Sequence, residues 1–355
     1  MLNFTIGPVM TWDELLNIGG EQVPYFRTTE FSNVMLESEQ IMLDISKAPE
    51  KSRCVFLTGS GTMGMEAAII NTLDANDKAL VVNGGGFGHR FVELCELHGI
   101  SYDEIKLEMG SALTGSRLEE YDGKGYTAFV VNMHETSTGV LYDMPLISDF
   151  CKRNNLFLIV DAISAFMADP IDMKKMGIDV LITSSQKAFA CAPGISMLTL
   201  SPRAIDRAKQ IKCPNMYMNV KLALDNGERG QTPFTPAVAC LLQINKRLKM
   251  VEARGGIEGE CEKVAAIASY FRDGIEGMPL EYVSSSPSNA VTALHPTNGM
   301  SAKAICDRMK DEFGIWICPN GGKLSDYMFR VGHIGNIDKQ DIDRLIIALK
   351  NVWKY

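Results

Sequence analysis

Lys187 closes the apolar segment ITSSQK (182–187), and small residues, a Pro-Gly pair and a second apolar run, ISMLTL (195–200), follow it. An amine between two apolar runs needs either solvent or a chemical task, because a buried unpaired charge is costly. Asp161 poses the same question at the end of LFLIVD (156–161). A carboxylate there caps a helix or faces a cation, such as a protonated ring nitrogen. In TGSGTMGMEAAI (58–69) small residues precede a helix start, where free N–H groups and the positive end of the dipole suit a phosphate. Gly59, Gly61 and Gly64 satisfy G-x-G-x-x-G, but a dinucleotide site wants an acid about 20 residues on, and the next strand ends in Asn83. The segment therefore reads as a phosphate turn or as a Gly-rich turn without a ligand. In NGGGFGHRF (83–91), Phe87 is a ring-stacking platform or a core aromatic, and the hydroxyls of VNMHETSTG (131–139) serve turn chemistry or a ligand.

These residues have to be placed by something. Apolar runs at 54–58, 79–83, 128–132, 156–161 and 180–184 read as strands covered on both faces. Amphipathic helix patterns at 62–74, 87–98, 144–154 and 170–176 separate most of them, which is the pattern of a mostly parallel α/β sheet. ISMLTL follows Lys187 too closely for a helical crossover and is expected as an antiparallel strand. After TPFTPAV (232–238) the texture changes. Helices are expected over 236–252, 259–275, 301–313 and 338–352, with short strands between them, as a small C-terminal α+β domain. The first thirty residues carry little periodicity and are expected to wrap the body or a partner subunit. The expected division is 1–30 as that segment, 31–250 as the large domain and 251–355 as the small one. In a sheet of this kind ligands sit at the C-terminal strand ends. Phe87, Asp161 and Lys187 all fall there.

Composition narrows the function. The chain has 355 residues, 46% of them apolar, and a net charge of −8. An acidic balance argues against a nucleic-acid partner. No run reaches the roughly 18 apolar residues of a membrane span. The start lacks a basic stretch followed by an apolar one, so no secretory leader is expected. Nine scattered cysteines fit reduced thiols and a cytoplasmic location, and the five histidines form no metal-ligand spacing, so no metal is expected.

Phosphate donors, an aromatic face, an acid and an amine at one sheet edge together describe a pyridoxal phosphate pocket, with Lys187 carrying the cofactor as a Schiff base. The set GSGTxxxEA, NGxxFGxR, HETSTG, VDAIS, SSQK and FRxGxIG, in this order, resembles the class V aminotransferases of fold type I. The likeness is to the alanine–glyoxylate, serine–pyruvate and 2-aminoethylphosphonate–pyruvate group, and it runs from FTIGP (4–8) to FRVGHIG (329–335). It implies a large domain with a mostly parallel seven-stranded sheet, pyridoxal 5'-phosphate, and a homodimer with active sites at the subunit interface. It implies that Lys187 holds the cofactor and shuttles the proton, and that Asp161 pairs with the ring nitrogen. Phe87 would stack on the ring, Ser60, Gly61, Thr62 and Gln186 hold the phosphate, and Thr136 meets the 3-oxygen side. Thr235 would reach the phosphate of the neighbouring subunit. Arg330 would bind the substrate's anionic group, with Gly7 nearby. Arg27 would read a second substrate charge or belong to a surface or interface. Thr232 stands where the family often has an aromatic hydroxyl. The implied reaction moves an amino group from alanine, serine or 2-aminoethylphosphonate to pyruvate or glyoxylate, by a ping-pong course.

Three other readings stay open on sequence. A lyase or cysteine desulfurase of the same fold usually has a histidine before the lysine, where this chain has Gln186, and a reactive cysteine on a loop. A non-catalytic homologue has no need of Lys187, Asp161 and Arg330 together. An NAD enzyme is opposed by Asn83.

Overall fold

The structure is a computed structural model and describes residues 1–353. Its larger sheet has seven strands in the order Arg53–Thr58, Ile195–Leu200, Val180–Ser184, Phe157–Asp161, Ala128–Asn132, Lys78–Asn83, Ser101–Lys106. Ile195–Leu200 is antiparallel to both its neighbours, and the remaining pairs are parallel. Strand alternation sorts the core. Phe129, Val131, Leu158, Val160 and Leu181 join one apolar cluster, while Ala128, Val130, Phe157, Ile159, Val180 and Ile182 join the cluster on the opposite face. Both faces are covered, which is why the middles of the central strands, such as FLIV (157–160) and AFVV (128–131), are apolar on both sides.

A second sheet runs Leu2–Phe4, Ile315–Pro319, Phe329–Gly332, Val291–Pro296, Leu280–Tyr282. The helices Gly256–Gly274, Ala302–Phe313 and Lys339–Val352 pack on it through Phe271, Ile305, Met309, Leu345 and Leu349. Asp338 and Asp341 close a capping box at the start of the last helix, fixing where it begins.

Three features differ from the sequence reading. The edge strand Ser101–Lys106 (SYDEIK) is too polar to stand out as a buried run, because only one of its sides is paired. The first thirty residues hold two elements that their weak periodicity does not announce. Leu2–Phe4 pairs in parallel with the strand at Ile315, and Asp13–Gly20 is a helix. The pattern at 170–176 yields only Met173–Met176, since Asp172 caps that helix through the Lys175 N–H and Gly177 ends it in a left-handed conformation. No helix among the described residues is long and apolar enough to cross a membrane.

Candidate active site

The C-terminal ends of the parallel strands carry the chemistry. Arg53–Thr58 leads through Gly59 and Ser60 into the helix Gly61–Thr72. Ser60 makes no side-chain cap, and among the described hydrogen bonds none takes the N–H of Gly61, Thr62 or Met63. Unspent amides and the dipole end thus stand where Gly61 and Thr62 form a cavity wall. Gly64 has a packing reason. A Cβ there would come within 2.0 Å of Ser196 Oγ, so only glycine lets this helix lie so close to the strand Ile195–Leu200. The G-x-G-x-x-G spacing is explained without a dinucleotide.

Lys187 and Asp161 line the same cavity as Ser60, Gly61, Thr62 and Phe87, and Thr136, Ser164 and Gln186 complete its polar wall. The cavity measures about 430 Å3, counting its open mouth. Asp161 is buried, and its Oδ1 accepts from the Ile163 N–H at 2.8 Å. Burial pushes its carboxyl up to about 7, against the pull of that N–H and of Lys187. Burial likewise pushes the Lys187 amine down to about 8, with Asp161 resisting and Arg330 and Arg90 assisting. Burial thus moves both pKa values toward neutral pH, and the attraction between the two groups offsets it only in part.

The other walls are built by side chains that lock one another. Thr136 Oγ1 and Ser164 Oγ lie 2.7 Å apart, and Ser164 Oγ is 2.9 Å from His134 Nδ1. His134 is fully enclosed. Its pKa is pushed down to about 3 by burial, with Lys187, Arg330 and Arg272 adding to the effect, so the ring is neutral. Gln186 Oε1 accepts from Ser184 Oγ at 2.6 Å, which orients the amide.

Glu135 is the hidden organiser. Its Oε2 accepts from Gly88 N at 2.9 Å, Asn132 Nδ2 at 2.9 Å and Phe87 N at 3.2 Å. Its Oε1 accepts from Ser137 N at 3.1 Å and from Ser137 Oγ. A buried carboxylate at the start of the helix Gly86–Leu97 therefore fixes both the Phe87 backbone and the loop that carries Thr136. Sequence reasoning passed over Glu135, Ser164 and Arg90, although each lies within a motif it singled out. Nothing local marks Glu135 as a helix anchor, since its partners lie 47–48 residues away.

Arg330 lies on Phe329–Gly332 in the second sheet and reaches the loop that follows Ala128–Asn132. Its Nη1 donates to Thr136 O at 3.0 Å and its Nη2 to Pro319 O at 2.8 Å, while Nε is buried without a partner. Gly7 packs against the Lys187 side chain. Two candidates lie elsewhere in the chain. Thr235 borders a separate hollow with Tyr217, Thr232 and Phe234. Arg27 donates to Gln231 Oε1 at 3.0 Å, Thr232 O at 2.7 Å and Pro233 O at 3.2 Å, and so holds the loop that leads to Thr235.

The donor set of the Lys187 cavity suits pyridoxal phosphate. Unspent helix amides suit its phosphate, a buried carboxylate short of a cation suits its ring nitrogen, and a buried amine suits its aldehyde.

Comparison with known proteins agrees. Residues 24–337 match the family Aminotransferase class-V. A protein of Anabaena cylindrica named as the 42 kDa subunit of a soluble hydrogenase is 31% identical over 333 residues, 92% of this chain and 86% of its own length. The L-aspartate–glyoxylate aminotransferase of Paracoccus denitrificans is 29% identical over 294 residues, 80% of this chain and 74% of that protein. Among solved structures, the pyridoxamine–pyruvate aminotransferase of Mesorhizobium loti superposes with a TM-score of 0.93 at 22% identity, covering 99% of this chain and 91% of that one. The alanine–glyoxylate aminotransferase of a Nostoc species gives 0.92 at 23% identity, over 99% and 95%. At such identities these two establish the fold, that of the fold-type I enzymes. With a family match over most of its length and a cavity that suits the cofactor, the chain belongs to the class V aminotransferases and is a pyridoxal-phosphate-dependent transaminase.

Proposed function

We propose that this transaminase moves an amino group from a small amino acid or aminophosphonate, such as alanine, serine or 2-aminoethylphosphonate, to pyruvate or glyoxylate. The observation that carries the site assignment is the meeting of Lys187, Asp161 and the uncapped helix start at Ser60 in one cavity. When bound, pyridoxal phosphate supplies an aldehyde and an electron-withdrawing ring.

Lys187 is the residue that attaches it and that takes and returns the substrate's α-proton. An amine with its pKa near 8 does both more readily than an ordinary lysine. Asp161 would pair with the ring nitrogen, and a cation there would offset the burial that raises its own pKa. Ser60, Gly61, Thr62 and Gln186 hold the phosphate, and Phe87, fixed by Glu135, closes one wall. Thr136, fixed by Ser164, would hydrogen-bond the 3-oxygen side of the ring. Arg330, with Gly7 beside the lysine, receives the anionic group of donor and acceptor in turn.

Thr235 and Arg27 fall outside the Lys187 cavity of their own chain, which supports a homodimer in which this loop serves the neighbouring site. The same reading takes 31–250 as the cofactor domain and 251–355 as the small domain. Unpaired cysteines, most of them buried, support a cytoplasmic protein. A panel of donors against pyruvate and glyoxylate, read as new amino acid formed, tests the proposal. Absence of transfer from all three named donors would refute the substrate assignment.

A further inference from the structure

The helix Val238–Ala253 turns a polar stripe toward the loop that follows Lys187. Cys240, Gln243 and Arg247 recur at helical spacings of three and four, so they share one face. All three are buried. Packing alone asks for apolar residues there, and buried polar groups are costly unless they are paired. Their partners lie on one loop. Cys240 Sγ donates to Ala192 O at 3.0 Å, Gln243 Oε1 accepts from the Ala192 N–H at 3.0 Å, and Arg247 Nη2 approaches Ala188 O at 3.5 Å. We propose that Gln243 is a positioning residue for Lys187, holding the loop that sets the lysine's backbone and tying it to the N-terminal helix. The inference rests on Lys187 as the cofactor lysine, and adds to it a residue that lies outside the cofactor cavity.

The loop needs holding. Ala190 has φ +52°, a left-handed conformation that residues with a Cβ rarely take. Its N–H bonds back to Lys187 O at 2.8 Å, and the Cys191 N–H to Ser185 O at 2.9 Å, so the strained turn closes directly on the lysine. Strain of this kind persists only where the surroundings over-determine it. The Lys187 amine has no described hydrogen bond of its own, and its place follows from the backbone and from the contact with Gly7. Gln243 answers the need with both ends of its amide. Its Nε2 donates to Leu15 O at 2.7 Å, in the helix Asp13–Gly20. The two ends cannot be exchanged, because the Ala192 N–H only donates and Leu15 O only accepts. A Cβ on Gly19 would stand 2.9 Å from the Gln243 nitrogen, so the two helices meet closely at this point. One amide thus joins the loop after Lys187 to the N-terminal segment whose Gly7 rests on the lysine. Arg247 stiffens the far end of the stripe. Its Nη1 donates to Glu260 Oε1 at 2.9 Å, and its guanidinium lies 4.4 Å from the centre of the Trp12 ring, in the same segment.

The test uses Gln243→Met, which is close in size and removes both amide bonds. Covalent uptake of pyridoxal phosphate by the apoprotein, followed by absorbance and fixed with borohydride, should slow about tenfold or more, because a small displacement of a reacting group costs that much. Ala190→Gly takes the strain out of the turn, since glycine adopts a positive φ freely. Added to Gln243→Met, it should restore most of the uptake rate without raising the melting temperature. A normal uptake rate in Gln243→Met, with the cofactor fixed on Lys187, overturns this inference alone. So does a defect that Ala190→Gly leaves in place and that follows the melting temperature, which would assign Gln243 to packing. Fixation on another lysine in the unaltered protein sinks the site reading and this inference with it. If Gln243→Met does not fold, amide hydrogen exchange in the unaltered protein decides. The Ala192 amide should exchange as slowly as those of the strand Val180–Ser184, and exchange as fast as at the exposed turn around Gly123–Gly125 overturns the proposal.

Discussion

Gly7 rests directly on Lys187. A Cβ at position 7 would stand 2.8 Å from Lys187 Cδ and 3.0 Å from Gln186 O, and Gly7 has φ +135°. The N-terminal segment thus forms part of the lysine's seat, and only a residue without a side chain fits it.

Gly7→Ala should therefore press on the lysine's seat, through Lys187 and the adjoining Gln186 carbonyl. Backbone strain there costs about 1–3 kcal/mol, and the displaced Lys187 should react more slowly. Thermal denaturation and the rate of cofactor uptake by the apoprotein measure the two effects. An unchanged uptake rate would show that the contact is slack.

Lys187 should carry the cofactor, so borohydride reduction should fix it there, and Lys187→Ala should abolish fixation. Burial lowers this amine to about 8, and only the neutral form attacks an aldehyde. Covalent uptake by the apoprotein should rise with pH, with a midpoint near 8, when followed by absorbance. A midpoint above 10 would contradict the buried setting.

Asp161 gives a pH signature with a definite sign. Its folded pKa, about 7, lies above the ordinary carboxylate value of 3.8, so between those pH values the folded apoprotein holds a proton that the unfolded chain has released. This group's contribution to stability is full below 3.8 and is lost as pH rises toward 7. Asp161→Asn should remove that decline, seen as a flatter melting temperature across the window. The same variant should lose about tenfold or more in turnover, since a charge-assisted contact is worth about 1.5–3 kcal/mol.

Glu135→Gln should disturb the cofactor site without altering Lys187. Both carboxylate oxygens accept N–H groups, so a glutamine must turn an NH2 toward donors. The expected cost is about 1–3 kcal/mol. Visible circular dichroism of the bound cofactor should weaken as Phe87 loosens, while borohydride fixation to Lys187 persists. An unchanged spectrum would reduce Glu135 to a helix anchor.

Arg330→Lys should raise the apparent KM for donor and acceptor alike, because both halves of the cycle use one anion pocket. Lysine cannot reproduce two parallel hydrogen bonds, and a loss of about tenfold or more is expected in each KM. Steady-state kinetics with each substrate varied in turn would reveal the opposite result, a defect confined to one of them.

Much of the site was legible because strand ends punctuate apolar runs with residues that packing alone does not ask for. Asp161, Lys187 and the turn at Ser60–Thr62 stood out in this way, and the structure places all of them in one cavity. Strand order did not, because neighbours such as Arg53–Thr58 and Ile195–Leu200 are paired across more than a hundred residues, and local pattern carries no such information. Glu135 and Arg90 were invisible for a related reason. The helix amides that Glu135 accepts and the Thr62 hydroxyl that Arg90 meets come from other elements, and a single motif shows only one half of such contacts. The mostly parallel sheet and the antiparallel strand after Lys187 agree with the sequence reading, because crossover length alone restricts the choice.

The alternation of the strands between two apolar clusters also sets which kinds of change this enzyme can absorb. Within Phe157–Asp161, odd and even positions belong to opposite faces. Removing one residue there would swap those faces and retract the terminal carboxylate by about 3.3 Å. A like deletion at the exposed turn around Gly123–Gly125 touches no such phase. Insertions and deletions should therefore be absorbed by turns of this kind and excluded from the strands that end in Asp161 and Ser184, however freely an apolar side chain in those strands exchanges for another of its size.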